Sequence, residues 1–256
     1  MVDSVFKCID INEAGSFDDL VISIKDKSCR ELCSFLENKI ICPPDEILLF
    51  HLSRRLHGLE DDIEGKNLAD LLTTDNALTE FLKSANIVFS RSEQHIDVQY
   101  KNKLVDWEKC QTGSPRYMKR RLGHCPGHED YCFNGFAFKD LLCHNAYYDR
   151  LCNMPEFLEG LIKCLGCKEV GENYKSNSMY YCYEYKIPLK YVIFDGYEKY
   201  SYHQKQIHLL YCVLQRIAHY QERNARDMSD RDNPILRLGD SDTVPAKYCT
   251  GKEIII

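Results

Sequence analysis

Residues 28–52 read Ser-Cys-Arg-Glu-Leu-Cys-Ser-Phe-Leu-Glu-Asn-Lys-Ile-Ile-Cys-Pro-Pro-Asp-Glu-Ile-Leu-Leu-Phe-His-Leu. Leu32, Phe35, Leu36, Lys39 and Ile40 recur at helical spacing, and Ser28 with Glu31 has the form of a capping box, so a helix is expected from about Ser28. Pro43 and Pro44 must stop it, because proline has no amide hydrogen to give and excludes helical angles at the residue before it. Ile47 to Leu52 then reads as a short apolar strand. Upstream, Val5–Ile11 alternates and Asp18–Ile24 is apolar and β-branched. Both are expected as strands, turning at Gly15 and Ser16. Downstream come an acidic loop over 60–65 and a last strand from Ile87 to Ser90.

Strand, strand, helix, strand, turn, strand is the order of a β-grasp domain, and the residues themselves resemble ubiquitin-like domains. Cys42-Pro43-Pro44-Asp45-Glu46 resembles the family's helix-to-strand turn. Glu64-Gly65-Lys66-Asn67-Leu68-Ala69-Asp70 resembles the turn before its last strands. In that turn Gly65 suits a positive φ, Leu68 plugs the core and Asp70 ties down the backbone. The resemblance covers roughly residues 4–91, about a third of the chain. It implies a β-grasp domain over 1–92 that docks onto a protein partner through an apolar patch at Leu48, Phe50 and Leu52. Strand alternation offers the other reading, in which these side chains fill the core. No Gly-Gly tail follows the domain, so a built-in docking module is expected rather than a conjugated one.

Residues 93–122 are expected as a basic linker, with a turn at Gly113-Ser114-Pro115. Lys119, Arg120 and Arg121 are candidates for phosphate or nucleic-acid contact, or form a solvated face. Residues 123–256 are expected as a second, cysteine- and tyrosine-rich α+β domain. Two turns share the form Cys-x-Gly-(Cys or His): Cys125-Pro126-Gly127-His128 and Cys164-Leu165-Gly166-Cys167. Together Cys125, His128, Cys164 and Cys167 would make a tetrahedral structural zinc site. The competing reading is buried thiols, with Gly166 capping a helix that Pro155 opens. Tyr180–Ile187 and Leu189–Phe194 are expected as strands. Ser201 is expected to cap a long helix to about Arg226, on which His208 is a satisfied core histidine rather than a ligand beside Cys212. The tail from Met228 is expected as loop, with Ile254–Ile256 an edge strand.

The fold class expected is therefore α+β, in two domains. The net charge of −6 argues against a surface that is basic throughout. No apolar run is long enough to span a membrane as a helix. The start carries no secretory pattern, so fourteen cysteines are expected in a reducing compartment, cytoplasmic or nuclear. The leading expectation is a non-enzymatic adaptor or regulator working through protein contacts, with zinc as a structural ion. Two other classes stand beside it: a nucleic-acid-binding protein, and a cysteine-dependent hydrolase whose thiol needs a histidine base beside it.

Overall fold

A computed structural model describes residues 29–58, 62–93, 95–110, 112–222 and 228–255. The strands expected at Val5–Ile11 and Asp18–Ile24 lie outside them. The protein is mixed α/β, and among the described residues no helix is long and apolar enough to cross a membrane.

Helix α1 (Cys29–Glu37) leads through the two prolines into strand β1 (Glu46–Leu56), which takes in Arg54, Arg55 and Leu56 as well as the expected apolar run. Helices α2 (Leu68–Thr73) and α3 (Ala77–Ser84) follow, then strands β2 (Ile87–Arg91), β3 (Ile96–Tyr100) and β4 (Lys103–Leu104). Next come α4 (Pro115–Arg121), β5 (Asn134–Phe136), α5 (Ala146–Asn153), α6 (Glu156–Leu165) and α7 (Lys168–Ser176). The chain closes with β6 (Ser178–Pro188), β7 (Ile193–Phe194), α8 (Tyr202–Glu222), β8 (Ile235–Arg237) and β9 (Cys249–Ile254). The larger sheet has the order β7-β8-β5-β1-β6-β9, and the smaller the order β2-β3-β4. β9 pairs antiparallel with β6, Tyr181 facing Ile254, with a register shift between Glu184 and Tyr185.

The stretch expected as the last turn of a β-grasp is built differently. Asn67 caps α2, its Oδ1 accepting from the Asp70 amide at 2.9 Å. Asn76 caps α3 with a reciprocal capping box to Thr79. Two helices therefore stand between β1 and β2, because each asparagine satisfies amides that a helix start leaves without partners. Asp70 does tie the local turn, through Asn67 Nδ2 at 2.7 Å. Ile87–Ser90 is a strand, as expected, but its partner is β3, with Ile87 opposite Tyr100, and it belongs to the smaller sheet. Gly65 is not among the glycines with positive φ. It is required for another reason. Gly65 and Val244 exchange both backbone hydrogen bonds at 2.9 Å, and a Cβ on Gly65 would sit 2.8 Å from Val244 Cβ and 2.9 Å from the Phe133 ring.

The chain divides into two compact units. The first is made from the described residues of Met1–Leu49, Phe136–Asn145 and Lys186–Leu236. In it α1 packs on α8, around buried Leu36, Phe194, Ile207, Leu210 and Leu214. The Pro44–Asp45 turn is fastened to the start of α8. Gln206 Nε2 donates to the Pro44 carbonyl, and the Tyr202 hydroxyl donates to Asp45 Oδ1 at 2.6 Å. Ser201 caps α8 as expected. Its hydroxyl accepts from the Gln204 amide, and Gln204 Oε1 accepts from the Ser201 amide.

The second unit is made from the described residues of Phe50–Gly135, Ala146–Tyr185 and Arg237–Ile256. Its core joins Leu72, Leu82, Ile87, Ile96, Trp107, Met118 and Leu161. The stretch 93–122, expected as a linker, carries β3, β4 and α4 and puts Trp107, Met118 and Leu122 into this core. The basic residues of α4 hide the pairing of Met118 with Leu122 one turn on. Helix α6 ends where expected, at Gly166 with φ 65°. Arg54 fastens the unit: its guanidinium donates to Ser178 Oγ and to the carbonyls of Cys152, Lys175 and Ser178, all within 2.8–2.9 Å.

Gly65→Ala is expected to cost about 1–3 kcal/mol, the usual range for overpacking a close contact. The check is the urea midpoint of the variant against that of the parent chain at unchanged slope.

Candidate functional site

The first unit contains a cleft of about 630 Å³ lined by α8 and by the segments around Phe194–Tyr197 and Arg231–Ile235. His208, Cys212, Arg216 and His219 are spaced four, four and three apart along α8 and so share the face that lines it. Cys212 Sγ lies 3.6 Å from His208 Nε2. The imidazole is packed among rings, with Tyr197 at 4.6 Å, Phe194 edge-on at 4.9 Å and Tyr200 at 5.4 Å between centroids. Burial pushes the His208 pKa down, which keeps the ring neutral and able to accept a proton near pH 7. His208 is buried, as the sequence indicates, and its nitrogen faces a thiol as well. At the rim His219 Nδ1 and Asp232 Oδ2 are 3.9 Å apart.

Below Cys212 the helix carries a buried cation. The Arg216 side chain is 4% exposed. Its Nε and Nη2 grip the two oxygens of Asp140 at 2.9 and 3.2 Å, and Nη2 also donates to Asp230 Oδ1 at 2.5 Å. Burial opposes the charge on Arg216, and the bonds to Asp140 and Asp230 outweigh it, so its pKa moves up. Each carboxylate has further donors. The Tyr220 hydroxyl donates to Asp140 Oδ2 at 2.5 Å, and Asn145 and Asn233 donate to Asp230 Oδ2. Asn233 in turn closes a two-way bond with the Phe138 backbone. The tail expected as loop from Met228 therefore contains a fully buried aspartate, β8 and β9. It orders because Asp230 finds a cation, a partner no local pattern announces.

The residues singled out from sequence fall as follows. Leu48 is 39% exposed, but Phe50 and Leu52 are 6% and 5% exposed, so the three do not make a surface patch. The core reading of Phe50 and Leu52 holds. Lys119 pairs with Glu108, Arg121 with Asp130 at 2.9 Å, and Arg120 approaches Asp130 at 3.8 Å. Internal carboxylates thus offset the basic run of α4, which reduces its attraction for phosphate. Cys125 and His128 share a turn, with the His128 amide donating to the Cys125 carbonyl and Gly127 at φ 75°. Cys164 ends α6, and burial and the neighbouring Cys110 thiol push its pKa up to about 11. Cys167 is buried at the start of α7, its Sγ 4.0 Å from the Ile162 carbonyl, and burial raises its pKa. These surroundings favour the protonated thiol at Cys164 and Cys167.

Among the described residues, the groups whose three ligand atoms lie within 4.8 Å of one another are His95, Asp97, His124 and Asp130, Cys132, Asp240. Cys125, His128, Cys164 and Cys167 form neither. In the second group the acids are occupied. Asp130 pairs with Arg121, and Asp240 Oδ1 accepts from the Tyr131 and Cys132 amides at 2.7 and 3.0 Å. Burial, then Asp130 and Asp240, push the Cys132 thiol up. In the first group His95 Nε2 and Asp97 Oδ1 are 3.1 Å apart, and the His95 and His124 rings lie 4.3 Å apart. The sequence does place His124 among the ligand-type residues of the cysteine-rich region. What it lacks is the adjacency of β3 and the end of α4.

Removing the buried guanidinium leaves two carboxylates facing each other. Arg216→Met is expected to lose about 3–5 kcal/mol, as broken buried pairs do, whereas Asp140→Asn, at the more exposed partner, loses less. Urea unfolding of the two variants side by side gives the ranking. No protein-family model, no curated protein and no solved structure matches the chain.

Proposed function

We propose that this chain is a thiol-dependent enzyme acting on a small ligand in the cleft of its first unit, with Cys212 as nucleophile and His208 as proton acceptor. The observation that carries this reading is the 3.6 Å approach of Cys212 Sγ to His208 Nε2 at the cleft wall. Of the functions expected from sequence it favours the cysteine-dependent hydrolase. The thiol proton passes to His208 Nε2 and Sγ attacks an acyl carbon. The leaving group departs with that proton, giving a thioester, and water then releases the acid and restores the thiol. Burial disfavours the imidazolium formed midway, so the proton is passed on to the leaving group rather than held on the ring.

The adaptor reading keeps one of its three docking residues, Leu48, at the surface. The ubiquitin-like reading of 1–92 is supported by α1, the Pro43–Pro44 turn and β1 following in the expected order. Against it stands the pairing of β2 with β3. The structural zinc expected at Cys125, His128, Cys164 and Cys167 draws support from the positive φ of the glycine in each turn, Gly127 and Gly166.

Iodoacetamide labelling read by mass spectrometry tests the enzyme. Cys212 should react faster than the exposed Cys42 and Cys143. His208 is neutral above its depressed pKa and protonated below it, so the Cys212 rate should be lost as pH falls through a value under 6.5. His208→Gln should remove that break and slow the reaction about tenfold or more. Labelling of Cys212 no faster than Cys42 would sink the reading.

A further inference from the structure

We propose that His95, Asp97 and His124 form a binding site for a divalent first-row transition metal, of which Zn²⁺ is the natural probe. This goes beyond the cleft and does not depend on it. All three residues belong to the second unit. His95 and Asp97 are two apart at the start of β3 and so project from one face, while Ile96 and Val98 between and beyond them point into the core. The backbone of His95 is fixed by Ser92, whose amide and hydroxyl both donate to the His95 carbonyl, at 2.9 and 2.8 Å.

His124 is held as firmly. Helix α4 ends in a Schellman motif, with Gly123 at φ 78°, the Gly123 amide donating to Arg120 and the His124 amide donating to Lys119. The Ile96 amide donates to the Leu122 carbonyl at 2.8 Å, which locks β3 against the helix end. The His124 ring then reaches back, Nε2 lying 3.2 Å from the Ile96 carbonyl oxygen. A nitrogen bonded to a carbonyl must carry the hydrogen, which leaves Nδ1 with its lone pair free to bind an ion. An imidazole oriented by a backbone carbonyl on its other nitrogen is the usual support for a metal-ligating histidine.

One pair of donors has the spacing of two ligands on one ion, and the third lies within 4.8 Å of both. Two atoms each about 2.1 Å from a tetrahedral centre lie about 3.4 Å apart, and His95 Nε2 and Asp97 Oδ1 are 3.1 Å apart. The donor set of two imidazoles and one carboxylate, with no thiolate, suits a borderline ion rather than calcium or a soft metal. Three protein ligands leave coordination positions for water or substrate. The side chains of His95 and Asp97 are 34% and 32% exposed, so those positions open to solvent.

The test uses the full chain stripped with chelator, then titrated with Zn²⁺ by calorimetry and with Co²⁺ by absorption. One ion per chain is expected, with Co²⁺ bands free of thiolate charge transfer. His124→Ala and His95→Ala should each weaken binding by more than about 100-fold, beyond what losing a supporting residue costs. Cys164→Ser with Cys167→Ser should leave it unchanged. If His124→Ala does not fold, judged by circular dichroism, His95→Ala carries the comparison, since that side chain is partly exposed. Unchanged affinity in a folded histidine variant, or a strong thiolate–cobalt band, overturns the site. Cys212 alkylation, measured in the same variants, should stay unaltered, which separates this site from the enzyme reading.

Discussion

A guanidinium taken out of water governs the first unit. Stripping Arg216 and Asp230 of solvent costs several kcal/mol per ion, and mutual attraction offsets this only when every remaining donor and acceptor is satisfied. The surroundings supply three charge-assisted bonds to the cation and further donors to both carboxylates. Asp140 takes two guanidinium nitrogens and a tyrosine hydroxyl, and Asp230 takes a third bond from the cation and two asparagine amides. The network joins α8 to the segment around Phe138–Asn145 and to the segment that follows Met228. The wall of the cleft, including the turn of α8 that carries Cys212, is held where this network holds the helix.

The chain carries many thiols, and their surroundings rather than their number decide what each can do. Cys132, Cys164 and Cys167 are surrounded by apolar atoms, carboxylates or another thiol, all of which favour the protonated, inert form. Cys212 alone among these four has a neutral imidazole in reach. The same sorting applies to the carboxylates. Asp130 and Asp240 are committed to an arginine and to backbone amides, whereas Asp97 faces two histidines on the solvent side of a strand.

Much of the local structure was legible in the residues. The strand at Ile47, the Gly166 cap, the tyrosine-rich strand and the Ser201-capped helix all arise from patterns only a few residues long, whereas α1 ends at Glu37, ahead of the prolines expected to stop it. Local pattern and structure part where a partner is distant in sequence. Phe50 and Leu52 were legible as core residues as well as a surface patch, and only burial decides between those. Gly65 looked like a turn glycine, but it is small because Val244 and Phe133 press against it. The cysteine turns stand out by their spacing alone, while His95 and Asp97 meet His124 only because β3 bonds to the end of α4. Asp230 sat in a polar stretch that looked like loop, and its charge is the reason that stretch is ordered.

Each compact unit is assembled from three separate stretches of chain, and the boundary falls after Leu49, Gly135, Asn145, Tyr185 and Leu236. A ribosome delivers residues in strict order, so domains laid end to end finish one after another. Here that sequence of events is closed off. The face of α1 destined for α8 leaves the ribosome before any of the second unit and meets its partner only after that unit's middle stretch has been made. The early helix must stay unmatched, or sheltered by another protein, until α8 has been made. Neither unit can be produced by cutting the gene at one place, and a nick anywhere between Phe50 and Leu236 leaves two fragments that each contribute residues to both units.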